Sequence, residues 1–359
     1  MNPQDFTNVI HQMLYADETI SLVPVVIDLA ARKNANALAN LIDVMGPRAL
    51  DLDFTARLSV ECRERWLTPG RTLRDTNRLE RFLRRTMTVF DTEDLLCPDW
   101  APQFEDAGFN DPVSSPVPAL FYSGANDPIT PPENTVSSFR LFPNAQYVHA
   151  LHTGHGVDRA HGCIQDITAA FLDNPRELVR DGCVASIAPI AFVTDVALSR
   201  GVLPYATNVL QTRSLLTIAT LGLGVLAMFV GLVWTLTSLA RRRHSRLPSA
   251  AAFGSAALLG AGAVTLMVFV AVLTLAIADV AAGMTPAILA LGLPQAHGWL
   301  LMLPLTAVAL CGAGLLALVL AVARGGPNTR ANIPLFTLAS GCALALGTVW
   351  MLGFFAPVA

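Results

Sequence analysis

Beyond Ser214 the chain runs almost without charge through four apolar stretches, roughly 214–240, 251–280, 299–323 and 334–355. Each is longer than the roughly 20 helical residues that cross a hydrocarbon core. Four such runs in succession leave no polar face for water, so soluble core helices are a poor account of them. In lipid, every backbone N–H and C=O must be satisfied within the protein, which forces helices here. An all-α transmembrane bundle of four helices is therefore predicted for residues 214–359. Composition agrees, with 53% hydrophobic residues and a mean hydropathy of +0.50. The formal net charge of −3 gives no ground for nucleic-acid binding.

The short loops set an expected orientation. The first carries Arg241, Arg242, Arg243 and Arg246, and the third carries Arg324 and Arg330. The second, Ala281–Gly298, has neither Arg nor Lys. Basic loops stay in the cytoplasm, so the N-terminal domain and the C-terminus are expected outside. The opening residues, MNPQDFTNVIHQ, lack the basic region and continuous apolar core of a secretory signal. Export is thus expected to depend on the first span or on a leader encoded upstream. Asp279, near the end of the second span, can reach the interface. Without a chain of buried charges, nothing supports a transporter or a proton relay.

Six cysteines divide the same way. Cys62, Cys97, Cys163 and Cys183 fall in the polar half, and Cys311 and Cys342 fall in apolar runs. No C-x-x-C pair or zinc-type spacing occurs, so no metal site is expected. If the polar half is extracytoplasmic, Cys62–Cys97 and Cys163–Cys183 are the expected disulfides. The alternative is six free thiols packed as small hydrophobes.

The polar half reads as α/β. Residues 5–50 show helical spacing of apolar positions, and Arg71–Asp91 reads as an amphipathic helix with a solvated arginine face. A Pro-rich connector runs from Cys97 to Pro116. Pro118–Tyr122 and Gln146–Leu151 read as strands, and Glu133–Leu141 and Ile164–Phe171 as helices. Strand–helix–strand–helix implies part of a parallel sheet, whose strands need crossovers of this length. The predicted organisation is a helical lid-like region over 1–110, an α/β segment over 111–190, a linker over 191–213 and the membrane region.

The first predicted strand ends in a turn carrying Asp127, and the second in a Gly-flanked histidine, His155. A general-base imidazole needs a partner that fixes its tautomer and stabilises the imidazolium. An acid and an imidazole after successive strands can meet above the sheet edge. Gly154 and Gly156 are expected to let the backbone bend around His155, and Pro128, Pro131 and Pro132 to stiffen the acid turn. His152 and His161 read as a strand-end and a helix-start residue, and Glu133 as a favourable charge at a helix N-terminus. No cofactor motif occurs.

The run SGANDPITPP, followed by FPNAQYVH, GHG and FLDNP, resembles the C-terminal portion of the tripeptidyl-aminopeptidase and proline-iminopeptidase-like α/β-hydrolases. The resemblance extends over about residues 5–190, with 5–50 similar to the lid. It implies a partial α/β-hydrolase fold, with lid helices and C-terminal strands, in which Asp127 is the triad acid and His155 the base. It also implies acyl transfer on a peptide or a small ester or amide.

The departure is equally informative. Such enzymes carry a nucleophile elbow, G-x-S-x-G, ahead of the lid. Residues 1–359 contain neither G-x-S-x-G nor G-x-C-x-G. Ser114, Ser115, Ser123, Ser255 and Ser340 all lack the elbow context. The expectation is a membrane-anchored hydrolase segment, inactive alone, whose nucleophile half is missing through truncation or comes from another polypeptide. The alternative is a non-catalytic membrane protein whose hydrolase remnant serves binding or assembly.

Overall fold

The computed structural model describes residues 3–50, 54–62, 96–97, 99–100, 111–242, 250–283, 286–323 and 329–358. The amphipathic helix expected over Arg71–Asp91 lies outside them, as do most of the Pro-rich connector and Arg243, Arg246 and Arg324 of the basic loops. The chain forms two compact units: residues 1–26 with 42–193, and residues 27–41 with 194–359.

Helices dominate the N-terminal stretch, as its periodicity predicts: α1 (Pro3–Met13), α2 (Asp17–Ile20), α3 (Val23–Ala31), α4 (Ala35–Leu50) and α5 (Phe54–Glu61). In the first unit, β1 (Ala119–Gly124) and β2 (Ala145–Ala150) pair in parallel, from Ala119 opposite Ala145 to Gly124 opposite Ala150. Among the described residues this is a two-stranded sheet. The crossover is α6 (Pro132–Phe139), which starts at a proline whose missing N–H would have no helical partner anyway.

The period-2 alternation of the strands separates two faces. On one, Phe121 meets Phe139 and Phe142 edge-on, with centroids 6.0 and 5.4 Å away, and Phe139 lies 5.4 Å from Tyr147. On the other, Ala150 packs with Val157, Ile164 and Ile187. These come from α7 (Val157–Ala160), α8 (Gly162–Asp173) and the turn after it. Helix α8 buries Ile164, Ile167 and Phe171, spaced along one helical stripe, and stops before Asn174-Pro175. The Tyr122 hydroxyl is 2.6 Å from that of Thr168, satisfying the polar end of a half-buried ring. Disulfides join Cys163 to Cys183 and Cys62 to Cys97, and Cys311 and Cys342 are free and buried.

The second unit is built on α10 (Leu215–Arg242), α11 (Ala250–Ala282), α12 (Leu303–Ala323) and α13 (Thr329–Met351). All four are long and apolar enough to cross a membrane. The third stretch is not uniform: Gln295–Met302 is a 3-10 helix, and regular α-helix begins at Leu303, next to Pro304. Proline is well suited to a first turn, where its missing N–H has no helical partner to lose, which fits a start at Leu303.

Helix α10 packs on α13, and α11 on α12. Glycine permits both approaches. A Cβ on Gly231 would lie 2.7 Å from the Leu338 nitrogen, and one on Gly314 2.8 Å from the Leu259 nitrogen. With lipid on the outside there is little hydrophobic gain from helix association, so close backbone packing carries it. Thr348 adds a 3.1 Å hydroxyl bond to Thr220 across the α10–α13 pair.

Residues 191–213 do more than link. They hold β3 (Val196–Leu198) and α9 (Val202–Tyr205). Strand β3 pairs antiparallel with β4 (Gly292–Pro294), which lies between α11 and α12. The same unit takes in part of the N-terminal helical stretch: the Asn40 side-chain amide donates to the Arg200 carbonyl at 2.9 Å, and that of Asn34 to Val358 at 2.6 Å.

Candidate active site

The acid turn is a closed hydrogen-bonded knot. One carboxylate oxygen of Asp127 accepts the backbone N–H groups of Ile129 and Thr130 at 2.8 and 2.9 Å. The other accepts the Thr130 hydroxyl at 2.7 Å. Asp tends to bond its own backbone two and three residues on, which explains a turn at this point. Only 4% of the side chain is exposed. Burial pushes the carboxyl pKa up. The bonds from the Thr130 hydroxyl, the Thr130 and Ile129 amides and His155 outweigh it and leave the carboxyl below its ordinary value.

The base arrives from the turn after β2. His155 Nδ1 lies 3.0 Å from Asp127 Oδ2 and 3.2 Å from Oδ1. With Nδ1–H donating to the carboxylate, Nε2 is left as the bare, basic nitrogen; the proton's place follows from this bond. The imidazole is 29% exposed, so the ring is anchored on one side and open on the other.

Of the two glycines flanking His155, one acts as expected and the other does not. Gly156 does bend the backbone, at φ 73° and ψ 44°, where a β-carbon is disfavoured. Gly154 is instead a close-approach position. A Cβ there would sit 2.8 Å from Ile20 Cδ1 and 3.0 Å from Asp17 Oδ1. Gly124, at the end of β1, has a third role that the sequence reading missed. Its Cβ would run into the carbonyl oxygens of Thr153 and Gly154. The acid and base turns are thereby pressed together, with Ala125 N–H bonding the Ala150 carbonyl at 2.9 Å and Asn126 N–H bonding Thr153 at 3.1 Å.

The other candidates fall elsewhere. Among the described residues, no hydrogen bond joins His152 to Asp127 or His155. His161 is the residue just before α8, without a side-chain capping bond, and lies 3.8 Å from Asp17. Glu133 sits exposed in the first turn of α6. Ser123 is 2% exposed and is bonded to the Tyr147 hydroxyl and, at 2.7 Å, to His149 Nδ1, not to His155. Ser114 donates to the Leu141 carbonyl. Sequence reasoning missed Tyr15, whose ring meets that of His155 edge-on at 5.0 Å, and Asp17, which accepts the Gly154 N–H at 2.7 Å. No periodicity or motif marks a contact between residues so far apart in the chain. Among the described residues, no group of three or more His, Cys, Asp or Glu side chains could hold a metal ion.

Both turns fall inside one recognisable stretch. Residues 86–182 match the α/β-hydrolase family model described as TAP-like protein. This α/β-hydrolase-like segment covers β1, β2 and the helices between and after them, and is well under half of the chain. No curated protein and no solved structure matches the chain. The protein thus combines a segment similar to the TAP-like α/β-hydrolase family with four helices long and apolar enough to cross a membrane.

Proposed function

We propose that this chain supplies the acid–base half of a membrane-anchored serine-hydrolase site, acting on a peptide or a small ester or amide outside the cytoplasm. The Asp127–His155 bond carries the reading: a buried, fully bonded carboxylate holds the imidazole in the tautomer a general base requires. A seryl hydroxyl from outside residues 1–359 would give its proton to His155 Nε2 as its oxygen attacks the substrate carbonyl. Asp127 stabilises the resulting imidazolium. That proton then passes to the leaving group, and water repeats the cycle on the acyl-serine. The two disulfides favour an oxidising compartment for this unit.

The test is labelling by a fluorophosphonate probe. The full chain alone is expected to stay unlabelled. Co-expression with a polypeptide segment bearing G-x-S-x-G, encoded beside it, is expected to give labelling of that segment, lost on His155→Gln. Stoichiometric labelling of a serine in residues 1–359 would overturn the half-site reading. Labelling of the partner segment indifferent to His155→Gln would leave the domain a binding or assembly module.

A further inference from the structure

The turn that carries His155 is gripped from outside by a single carboxylate. Asp17 Oδ1 accepts the Gly154 N–H at 2.7 Å, immediately before His155. Its Oδ2 lies 3.8 Å from His161 Nε2, just past α7, where α8 begins. The two contacts bracket the whole segment from 154 to 161, with His155 and the left-handed Gly156 between them.

The gripping element is itself fixed. Thr19, 3% exposed, donates its hydroxyl to the Met13 carbonyl at 2.6 Å. Met13 and Leu22 are fully buried, and the Ser21 carbonyl accepts the Val193 N–H at 2.9 Å. Residues 13–22 therefore present Asp17 from a buried, hydrogen-bonded base. On the same segment, Tyr15 stands edge-on to the imidazole, and Ile20 packs where a Gly154 side chain would be. A glycine at 154 admits this approach; a β-carbon there would require the Ile20 tip and the Asp17 carboxylate to give way.

We propose that Asp17 is a positioning residue that clamps both ends of the His155 turn, with Tyr15 as the wall of the site beside the imidazole. This rests on Asp127 and His155 being the acid–base pair. The clamp has a physical rationale of its own. The Asp127 bond fixes one nitrogen of the ring, and the Asn126–Thr153 bond and buried Val157 hold the chain on either side, but the Gly154 amide directly before His155 is held by neither. Asp17 holds that amide by a hydrogen bond and lies close enough to His161, at 3.8 Å, to draw the start of α8 by charge when that imidazole carries a proton. Burial raises the Asp17 pKa against the opposing pull of the Gly154 amide and His161, so the carboxylate is kept there at some expense. Groups held at such expense cluster at functional sites.

The experiment is two-bond 1H–15N correlation of the histidine rings in the full chain, 15N-histidine-labelled and solubilised in detergent, with His155 assigned by His155→Gln. Wild type is expected to show a single neutral tautomer at His155, protonated at Nδ1. Asp17→Ala is expected to lose that pattern, giving averaged nitrogen shifts, while Asp17→Asn, which keeps an acceptor for Gly154 N–H, restores it. Gly154→Ala, with Asp17 intact but displaced, should reproduce the loss. An unchanged His155 pattern in Asp17→Ala and Gly154→Ala would overturn the clamp. Asp127→Asn separates the two ideas: if it too leaves His155 unchanged, the acid–base pairing has failed and not the clamp alone. If Asp17→Ala does not fold, Asp17→Asn and Gly154→Ala carry the test on the same readout.

Discussion

Asp127 and His155 meet at 3.0 Å although they come from the ends of two different strands, because Gly124 lets their turns close on each other. Gly124→Ala is therefore expected to separate the pair. The added methyl meets backbone carbonyls that cannot rotate away, and overpacking of this kind costs about 1–3 kcal/mol. Loss of the Nδ1-protonated His155 signal together with a lowered unfolding midpoint would bear this out; an unchanged midpoint would refute it.

Asp127→Ala is expected to destabilise the first unit by about 3 kcal/mol. It strands the Ile129 and Thr130 amides that the carboxylate satisfies, and hydrogen bonds to charged groups are worth about 1.5–3 kcal/mol. Asp127→Asn, which keeps one acceptor oxygen, should cost less. Denaturant unfolding of the detergent-solubilised chain, read at Trp or disulfide-bearing peptides of this unit, measures the difference.

The two carboxylates give opposite pH slopes. The pKa of Asp127 is lowered from 3.8, so its stabilisation is complete above that value and is lost as pH falls through its folded pKa. The pKa of Asp17 is raised from 3.8, so the folded state binds its proton longer and stability declines as pH rises from 3.8 through its folded pKa. Asp127→Asn should flatten the acid limb of the stability profile below 3.8, and Asp17→Asn should flatten the decline above it. Identical profiles for wild type and both variants would contradict these assignments.

The Cys163–Cys183 bridge closes a short loop, with a sequence separation of 20, between α8 and the turn that packs against β2. Replacing both cysteines by serine is expected to lower stability by about 3 kcal/mol. Peptide mapping without reductant should recover the two linked pairs, Cys163–Cys183 and Cys62–Cys97. Free thiols at all four positions in protein isolated from cells would place the domain in a reducing compartment.

Orientation is decided at Ser245. A cysteine introduced by Ser245→Cys should resist a membrane-impermeant thiol reagent in intact cells and react after permeabilisation. The expectation rests on the basic first and third loops against a second loop with no Arg or Lys. Labelling in intact cells would invert the topology.

Elements set by local pattern were legible in the sequence. The apolar spans, both parallel strands and α8 follow from period and length, and the acid and base turns announced themselves through Asp, Pro and Gly at strand ends. What was not legible was contact between distant residues. Tyr15 and Asp17 lie well over a hundred residues from the turn they touch, and nothing in their own neighbourhood encodes that meeting. In the sequence Gly154 reads as a bend, because glycine usually serves φ; its use here is proximity, which depends on a neighbour from another part of the chain. Strand β3 hid in what read as a linker because three residues are too few to show alternation, and its partner Gly292–Pro294 is likewise only three residues long.

That short antiparallel strand pair constrains how the membrane region can be inserted. Strand β3 precedes α10 and β4 follows α11, and the two are hydrogen-bonded. The start and finish of the first helix pair are therefore stitched together on one side of the bilayer. Neither helix can be threaded the wrong way without tearing the stitch, so biogenesis faces a single binary choice for the pair rather than two independent ones. A mistake by the insertion machinery would invert both helices or neither.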